Sequence, residues 1–472
     1  MRTTNSIRCG VPRRTCLALS LNTLLAAPAL LISNQVFAAV TSCGDDIGDA
    51  TTLRYAVLTA NPAEKIDLSA LACSKITLQH GAIAVVMDDL TVSAAGPEKL
   101  TIDGNQSGRV FMHTGKGTLS LSGLTVANGS FEADFAFGGC VYSTGKVSLT
   151  NAAVTSCKAL GQTGAAGGGI SVFGNLTLDH SSITNNLADA AIGTALTNSA
   201  FGGGAFSFSP DGPKTTLTGS TISGNTVHTA AGTAYGGGIV GYQVNAKYST
   251  ISGNGASAAS GKGNYGAGGG MIAGYSLFMF NSTVDNNKAD VAGGILIGAN
   301  GGFGTIAQST ISSNEATLEV GGIDSGAPLS VGNSTIAFNS GGIDGGGILQ
   351  AGAFDLTLQN SIVADNMPND IDGGLSVKGS KNLIKIAGPN ATLPVGTITF
   401  DPKLGPLAWN GGPTRTHAIN AASPAIDAAD NPINLPSDQR GSSYYRMVGA
   451  APDIGAYEFD SDHVFGDGFG GL

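Results

Sequence analysis

The chain has 472 residues, 72 of them Gly, and is 42% hydrophobic but only 12% charged. A positive mean hydropathy with so few charges excludes a disordered chain, and glycine without a strict third-residue period excludes collagen. With 33 acidic against 23 basic residues the net charge is −10, so the surface repels polyanions and nucleic acid is not an expected partner.

In chain order, residues 1–38 read as a secretory signal peptide. Arg2, Arg8, Arg13 and Arg14 precede an apolar run over 16–32, and Val36-Phe37-Ala38 is a small-residue cleavage site that places the cut between Ala38 and Ala39. The Arg13-Arg14 pair also admits a twin-arginine route. Export removes four Arg and no acid, leaving 19 basic and 33 acidic residues, a charge of −14. No later stretch reaches the roughly 18 apolar residues of a membrane helix, so no transmembrane span is expected.

Cys9 and Cys16 leave with the signal, and Cys43, Cys73, Cys140 and Cys157 remain, an even number in an oxidising compartment. Two disulfides are expected, with three possible pairings. Spacings of 30, 67 and 17 match no zinc pattern. Residues 39–99 are expected to form an N-terminal cap and the first coils, with a short helix over 53–61, where apolar residues keep helical spacing.

Residues 100–399 carry a repeat. A short phrase recurs as Ser181-Ser182-Ile183, Ser220-Thr221-Ile222, Ser249-Thr250-Ile251, Ser282-Thr283-Val284, Ser309-Thr310-Ile311 and Ser334-Thr335-Ile336, each followed three places on by Asn186, Asn225, Asn254, Asn287, Asn314 or Asn339. Val126, Val154 and Ile362 fill the same apolar slot in flanking copies. A second, Gly-rich phrase ends at Val141, Ile170, Ile239, Met271 and Ile323, and the 12 or 13 positions from it to the next apolar slot are nearly constant. The length variation falls between the Asn and the next Gly cluster, so insertions leave from one corner, chiefly over 187–201, 226–235 and 255–267.

Short runs such as Leu176-Thr177-Leu178 alternate with period two and are bounded by Gly, Asn and Asp, which marks strands too short to bury their own apolar side. Stacked in parallel at about 4.8 Å they make one interior column, and repeated Asn at one bend can bond amide to amide along it. The expected fold is all-β: a right-handed single-stranded parallel β-helix, a solenoid with an N-terminal cap and an irregular C-terminal cap region. In this register Cys140 takes the place of a third Gly and Cys157 that of a ladder Asn, at one corner. The preferred pairing is therefore Cys43 with Cys73 and Cys140 with Cys157.

Toward the C-terminus the chain carries Asp401-Pro402-Lys403-Leu404-Gly405-Pro406-Leu407, Asn410-Gly411-Gly412-Pro413-Thr414, Ser423-Pro424-Ala425-Ile426-Asp427, Asp438-Gln439-Arg440-Gly441 and Pro452-Asp453-Ile454-Gly455-Ala456-Tyr457-Glu458. In this order they resemble the C-terminal region of bacterial secreted β-helix proteins of the choice-of-anchor Q type, within the pectin-lyase-like superfold. Thr52-Leu53-Arg54, Ile66-Asp67-Leu68 and Cys73-Ser74-Lys75-Ile76-Thr77-Leu78 are similar to that group's opening segment. The resemblance implies a solenoid at the cell surface or outside the cell and carries no shared reaction. It divides the rest of the chain into a C-terminal region over 400–459 and a tail over 460–472.

Chemistry is sparse. Five Arg follow the signal: Arg54, Arg109, Arg415, Arg440 and Arg446. Arg440 with Asp438, Asp427 and Glu458 reads as a set of cap ion pairs rather than an acid/base site. The Asp45-Asp46 and Asp88-Asp89 doublets read as solvated turns. His80, His113, His180, His228, His417 and His463 are isolated in sequence, and no Ser-His-Asp arrangement can be argued. No cofactor is expected. The metal these oxygens would suit is Ca²⁺, at Asp365, Asn366, Asn369, Asp370 and Asp372 with Asp344 nearby, although Asn and Asp at turns already have backbone roles. The functional expectation is an exported monomer with an adhesin-like, structural or glycan-binding role toward a surface glycan or a host or matrix ligand; the alternative is a polysaccharide lyase or glycoside hydrolase.

Overall fold

The computed structural model describes residues 39–461 apart from 191–197, 208–211, 260, 262, 344, 353 and 374–375. The signal segment with Ala38, the side chains of Asp344 and His463, and the tail beyond 461 lie outside the described residues; Ala39 is the first within them.

Three rows of short parallel strands wind around one interior. The first row runs from Ile83–Val85 through Val141–Ser143 and Ile170–Val172 to Ile371–Gly373, and the second from Glu64–Asp67 through Leu176–Asp179 to Lys378–Ser380. Ile239–Lys247 and Met271–Phe280 pass through both rows without a break and join them into one sheet. The third row, from Lys75–Thr77 through Ser182–Thr184 to Leu383–Ile384, counts 12 strands among the described residues. The chain is thus an all-β parallel solenoid. Its one described helix, Leu53–Thr59, starts at Thr52, whose hydroxyl accepts from the Tyr55 N–H. No described helix is long and apolar enough to cross a membrane.

Register follows the repeat. Val126, Val154, Ile183, Ile222, Ile251, Val284, Ile311 and Ile336 lie directly opposite one another in successive strands, and all are fully buried. At the next coil the alignment shifts by one: Ile336 pairs with Val363, while Ile362 pairs with Thr335 on the outer side. Ile362 therefore leaves the interior column. It is still buried, because the C-terminal region covers that outer side, where its neighbours are Ile419, Ala425 and Ile454.

The bend after the third row is held by side-chain amides. The Asn225 N–H and Nδ2 both donate to Asn254 Oδ1, at 3.0 and 2.9 Å, and Nδ2 also donates to the Ile183 carbonyl at 2.9 Å. The same pattern links Asn186 to Asn225, Asn254 to Asn287, Asn287 to Asn314 and Asn314 to Asn339. It extends beyond the sequence reading at both ends. The Cys157 N–H donates to Asn186 Oδ1, Asn339 donates to Asn366, and Asn366 donates from N and Nδ2 to Asp370 Oδ1. A second ladder links Ser181, Ser220, Ser249, Ser282, Ser309, Ser334 and Ser361 through hydroxyl oxygens that accept the preceding backbone N–H. Buried donors at both corners thus find acceptors one coil away.

The insertions build a fin at the Asn corner. Lys158–Ala166 pairs with Ser130–Phe137, Leu187–Ala190 and Asn198–Phe201, and further copies add Thr226–Thr229 with Gly232–Tyr235 and Gly255–Ala258 with Tyr265–Ala267. Two columns face each other inside it, Ala159, Ala188, Val227, Ala256 and Ala289 against Ala136, Ala165, Ala200 and Ala234, forming a core separate from the main one. At the next place in the second column stands Gly266, where a Cβ would lie 2.1 Å from the Ala256 carbonyl oxygen; no larger residue fits there.

The C-terminal region is irregular, apart from a pairing of Leu404–Ala408 with Thr416–Ile419, and it folds back along the outer side of the third row. Gln439 bonds Thr283, Thr310, Thr414 and the Arg415 carbonyl; the Thr283 hydroxyl donates to the Arg415 carbonyl; the Ala456 N–H donates to Thr335. Thr283, Thr310 and Thr335 are buried beneath it, whereas Thr221 at the equivalent place of an earlier coil is exposed.

Candidate functional site

Most of the residues singled out by sequence hold the fold. Cys43 is joined to Cys73 and Cys140 to Cys157. Asp45 is committed to Arg54, with Nε to Oδ1 at 2.8 Å and Nη2 to Oδ2 at 2.9 Å, and it also accepts from the Gln79 and His80 N–H groups. Arg54 in turn donates to the carbonyls of Gly81 and Ala82, which ties the helix to the first coils. Asp88 and Asp89 accept from the Lys116 and Thr118 N–H groups one coil on.

In the C-terminal region Asp438 and Arg440 form a buried pair, with Nη2 to Oδ2 at 2.7 Å, and the guanidinium lies between the rings of Tyr444 and Tyr457 at 4.0 and 3.9 Å. Glu458 sits 3.9 Å from Arg446 and accepts from the Val448 and Asp453 N–H groups; burial pushes its carboxyl up to about 7. Asp427 does not join them as expected. Its backbone is left-handed, at φ +53°, and its carboxylate accepts the Ala451 N–H, so it shapes a turn instead of pairing with Arg440. Sequence reading missed the buried pair of Asp45 with Arg54 and that of Arg415 with the buried Asp285 on the third row, the latter at 2.5 Å.

Most of the oxygen-rich stretch considered for Ca²⁺ is divided among local tasks, although Asn369 Oδ1 is buried without a hydrogen-bond partner. Asp365 pairs with Lys385, Asn366 and Asp370 end the ladder, and Asp372 accepts the Gly373 and Asn390 N–H groups. Among the described residues no three His, Cys, Asp or Glu side chains are arranged to hold a metal ion. A cleft of about 550 Å³ lies beside Asp365, bordered by Phe338, Asp401 and Lys403. Its charges are matched internally, Lys385 with Asp365 and Lys403 with Asp401. His417 nearby bonds Ser312 and the Gly405 carbonyl, and burial lowers its pKa.

A different surface has the features of a binding site. On three of the five fin strands that lead into a Gly cluster, Ala points into the fin and the aromatic residue after it points out: Ala136 then Phe137, Ala200 then Phe201, Ala234 then Tyr235; on the other two that outer place is taken by Ala166 and Ala267, both buried. Past the Gly cluster, Tyr142 and Phe206 point outward from the first row. Phe201 meets Phe206 at 5.7 Å and Phe137 meets Tyr142 at 6.4 Å between ring centroids. Outward residues of two sheets touch only where the sheets meet at a re-entrant angle, so the fin and the first row enclose a corner.

Phe173 joins Phe137 and Tyr142, Tyr235 stacks on Phe201 at 5.5 Å, and Tyr265 meets Tyr235 edge-on, with the two hydroxyls 3.1 Å apart. That bond, with burial second, raises the pKa of the Tyr265 phenol to about 12. All seven rings are partly exposed, and they follow the stacking axis over successive coils.

Each end of this aromatic line carries charge. At the start, the Arg109 guanidinium lies 3.2 Å over the Phe131 ring and 5.1 Å from that of Tyr142, with Nε bonded to the Phe137 and Gly138 carbonyls. Burial lowers its pKa to about 10, so it stays charged at neutral pH. Farther along, the outward positions of the first row become Val240, Ile272, Leu296 and then Asp324. Asp324 is 8% exposed, its Oδ1 has no hydrogen-bond partner, and burial together with Glu319 raises its pKa to about 7. Neither the aromatic line nor Asp324 was picked out from the sequence. The repeated Ala-aromatic-Gly phrase was the available signal for the line.

No protein-family model matches the chain, and no curated protein matches it. Among solved structures it is similar to the crystal structure of pectate lyase Pel9A, at 13% identity over 88% of this chain and 92% of that one, with a TM-score of 0.40. A likeness so loose says nothing about residues or chemistry.

Proposed function

We propose that the protein is an exported glycan-binding β-helix whose aromatic corner takes a linear polysaccharide along the stacking axis. The observation that carries this reading is the succession along the axis of two groups of partly exposed rings, Phe137 with Tyr142 and Phe173, and Phe201 with Phe206, Tyr235 and Tyr265. Sugar rings present apolar C–H faces and hydroxyl edges. Flat rings complement the faces, and a concave apolar surface with a few polar groups is the usual form of a binding site. Rung spacing of about 4.8 Å is close to the length of one extended sugar residue, so the corner suits a chain and not a single sugar. Stacking on flat rings needs no charge on the sugar, and the class proposed is neutral.

Export is supported by the basic, apolar and small-residue order of residues 1–38 and by the two disulfides. The C-terminal phrases favour a place among choice-of-anchor Q proteins of the cell surface. Affinity electrophoresis of the secreted protein through gels containing xylan, glucomannan, β-glucan or polygalacturonate tests the reading. Retardation by a neutral polymer is expected, reduced at least tenfold in the Phe201→Ala/Tyr235→Ala double variant. Equal mobility in every gel, or retardation indifferent to the double substitution, overturns it.

A further inference from the structure

We propose that Arg109 forms an anion subsite at the first end of the aromatic corner, taking a carboxylate carried as a sparse substituent by an otherwise neutral polysaccharide. The inference rests on the glycan-binding reading and names the kind of chain the site selects. Five arginines stand among the described residues, and four face a carboxylate: Arg54 that of Asp45, Arg415 that of Asp285, Arg440 that of Asp438 and Arg446 that of Glu458. Arg109 forms no such pair among the described residues, and the titratable group that acts on its charge is the Tyr142 phenol.

Its place in the coil explains why a large cation is accommodated there. Phe111, Val141, Ile170 and Ala205 lie opposite one another in the first row, so the residues two places before them, Arg109, Gly139, Gly168 and Gly203, share one position at the vertex between fin and first row. A Cβ on Gly139 would lie 2.2 Å from the Gly168 carbonyl oxygen, and one on Gly168 would lie 2.3 Å from that of Gly203, so these coils admit no side chain at the vertex. The chain reaches Arg109 from Thr101–Asp103 without a fin strand, and the first such strand, Ser130–Phe137, lies one coil on. The arginine therefore has room, and it extends along the axis toward that strand. Nε donates to the Phe137 and Gly138 carbonyls at 2.9 and 3.0 Å, and the guanidinium covers the Phe131 ring at 3.2 Å. It closes the corner at the end where Tyr142, 5.1 Å away, begins the aromatic line.

Nε and one ring contact hold the guanidinium in place without a carboxylate. Its Nη1 and Nη2 make no hydrogen bond to a described residue and, unlike Nη1 of Arg446, are not sealed from solvent. A planar, charged fork that is already ordered matches a carboxylate through two parallel hydrogen bonds and loses little freedom on binding it. The corner offers one such cation and no series of them. The outward places that follow Tyr142 in the first row are Ser171, Phe206, Val240, Ile272 and Leu296, none of them basic. A polymer charged on every sugar would set its remaining carboxylates against these uncharged places, on a protein of net charge −10 that repels polyanions. A neutral backbone with an occasional acidic group suits both the rings and the single arginine.

The test is affinity electrophoresis of the full secreted protein through carboxyl-free xylan, glucomannan and β-glucan, each compared with its own sparsely carboxymethylated form, and through polygalacturonate. A carboxymethylated polymer is expected to hold wild type at least tenfold more tightly than its neutral parent, with the advantage shrinking as salt is raised. In Arg109→Gln the ratio of the two affinities is expected to fall to near one, and in Arg109→Lys, which keeps the charge but loses the fork, to lie between. Melting curves check both variants; where Arg109→Gln does not fold, Arg109→Lys decides, and a ratio equal to that of wild type overturns the subsite. Retention by a neutral parent with no gain on carboxymethylation overturns the subsite and leaves glycan binding standing. A gain unchanged in Arg109→Gln, or tighter retention by polygalacturonate than by every sparsely substituted polymer, overturns it as well. Equal mobility in every gel overturns the binding reading on which it rests.

Discussion

The main column and the fin are stacked from the same coils in the same register, yet one is lined by Ile, Val and Leu and the other almost wholly by Ala. A buried Ile contributes about 1.5–3 kcal/mol, whereas an Ala methyl contributes about 0.8 kcal/mol. The column therefore stabilises the molecule, and the fin rides on it. Small residues let the two layers of the fin approach closely, so that its outer face can carry large rings at a fixed distance from the first row. The same contrast separates scaffold from site: the column sets the rung spacing, and the fin turns that spacing into a row of aromatic platforms.

That contrast can be broken from either side. Ile311→Ala, in the middle of the column, is expected to lower stability by about 3–5 kcal/mol, read by urea denaturation, because its strands above and below hold the cavity open. Asn287→Ala leaves the Asn254 N–H and Nδ2 without their acceptor, and a loss of about 2–4 kcal/mol is expected from the same measurement. Ala256→Leu, inside the fin, is expected to cost about 1–3 kcal/mol by overpacking while disturbing polysaccharide retention far more than Ile311→Ala does. Equal effects of the column and fin substitutions on retention would erase the distinction drawn between them.

Asp324 sharpens it further, because its folded pKa near 7 lies above the ordinary carboxyl value of 3.8. The folded state then binds more protons than the unfolded state between those two values, so this group's contribution falls as pH rises from about 4 to 7. Asp324→Asn is expected to be more stable than wild type by about 4 kcal/mol at pH 8, with the difference vanishing below about pH 4. A constant difference across that range would show that the carboxyl is not held protonated by its surroundings.

The solenoid was legible because the phrase ending at Ile183, Ile222 and Ile251 recurs with its Asn at a fixed offset, and equal offsets become equal positions in the stack. Ile362 escaped this logic. Ser361-Ile362-Val363 offers two apolar candidates for one slot, and only the C-terminal region covering the outer side decides that Val363 turns inward. That covering itself could not be read from spacing, since Gln439 and Thr310 are 129 residues apart. Asp427 resembled an ion-pair partner by composition alone, and a left-handed turn gave it a backbone amide instead. The aromatic corner was written in three copies of Ala-aromatic-Gly, but its meaning depends on the angle between fin and first row. Asp324 gave no local sign at all, because its burial comes from neighbouring coils.

The Asn ladder has a direction: every member donates toward the C-terminal coil and accepts from the one before. Asp370 receives the last pair of donors and, when ionised, has no hydrogen to pass on, while its second oxygen takes the Ile386 N–H. The amide series thus ends at Asp370, although strands of all three rows, Ile371–Gly373, Lys378–Ser380 and Leu383–Ile384, still follow it. Duplicating an internal coil would lengthen this ladder without disturbing its end, whereas the turn beyond Asp370 is held in another way, by the Ile386 N–H that donates to the Asp370 carboxylate.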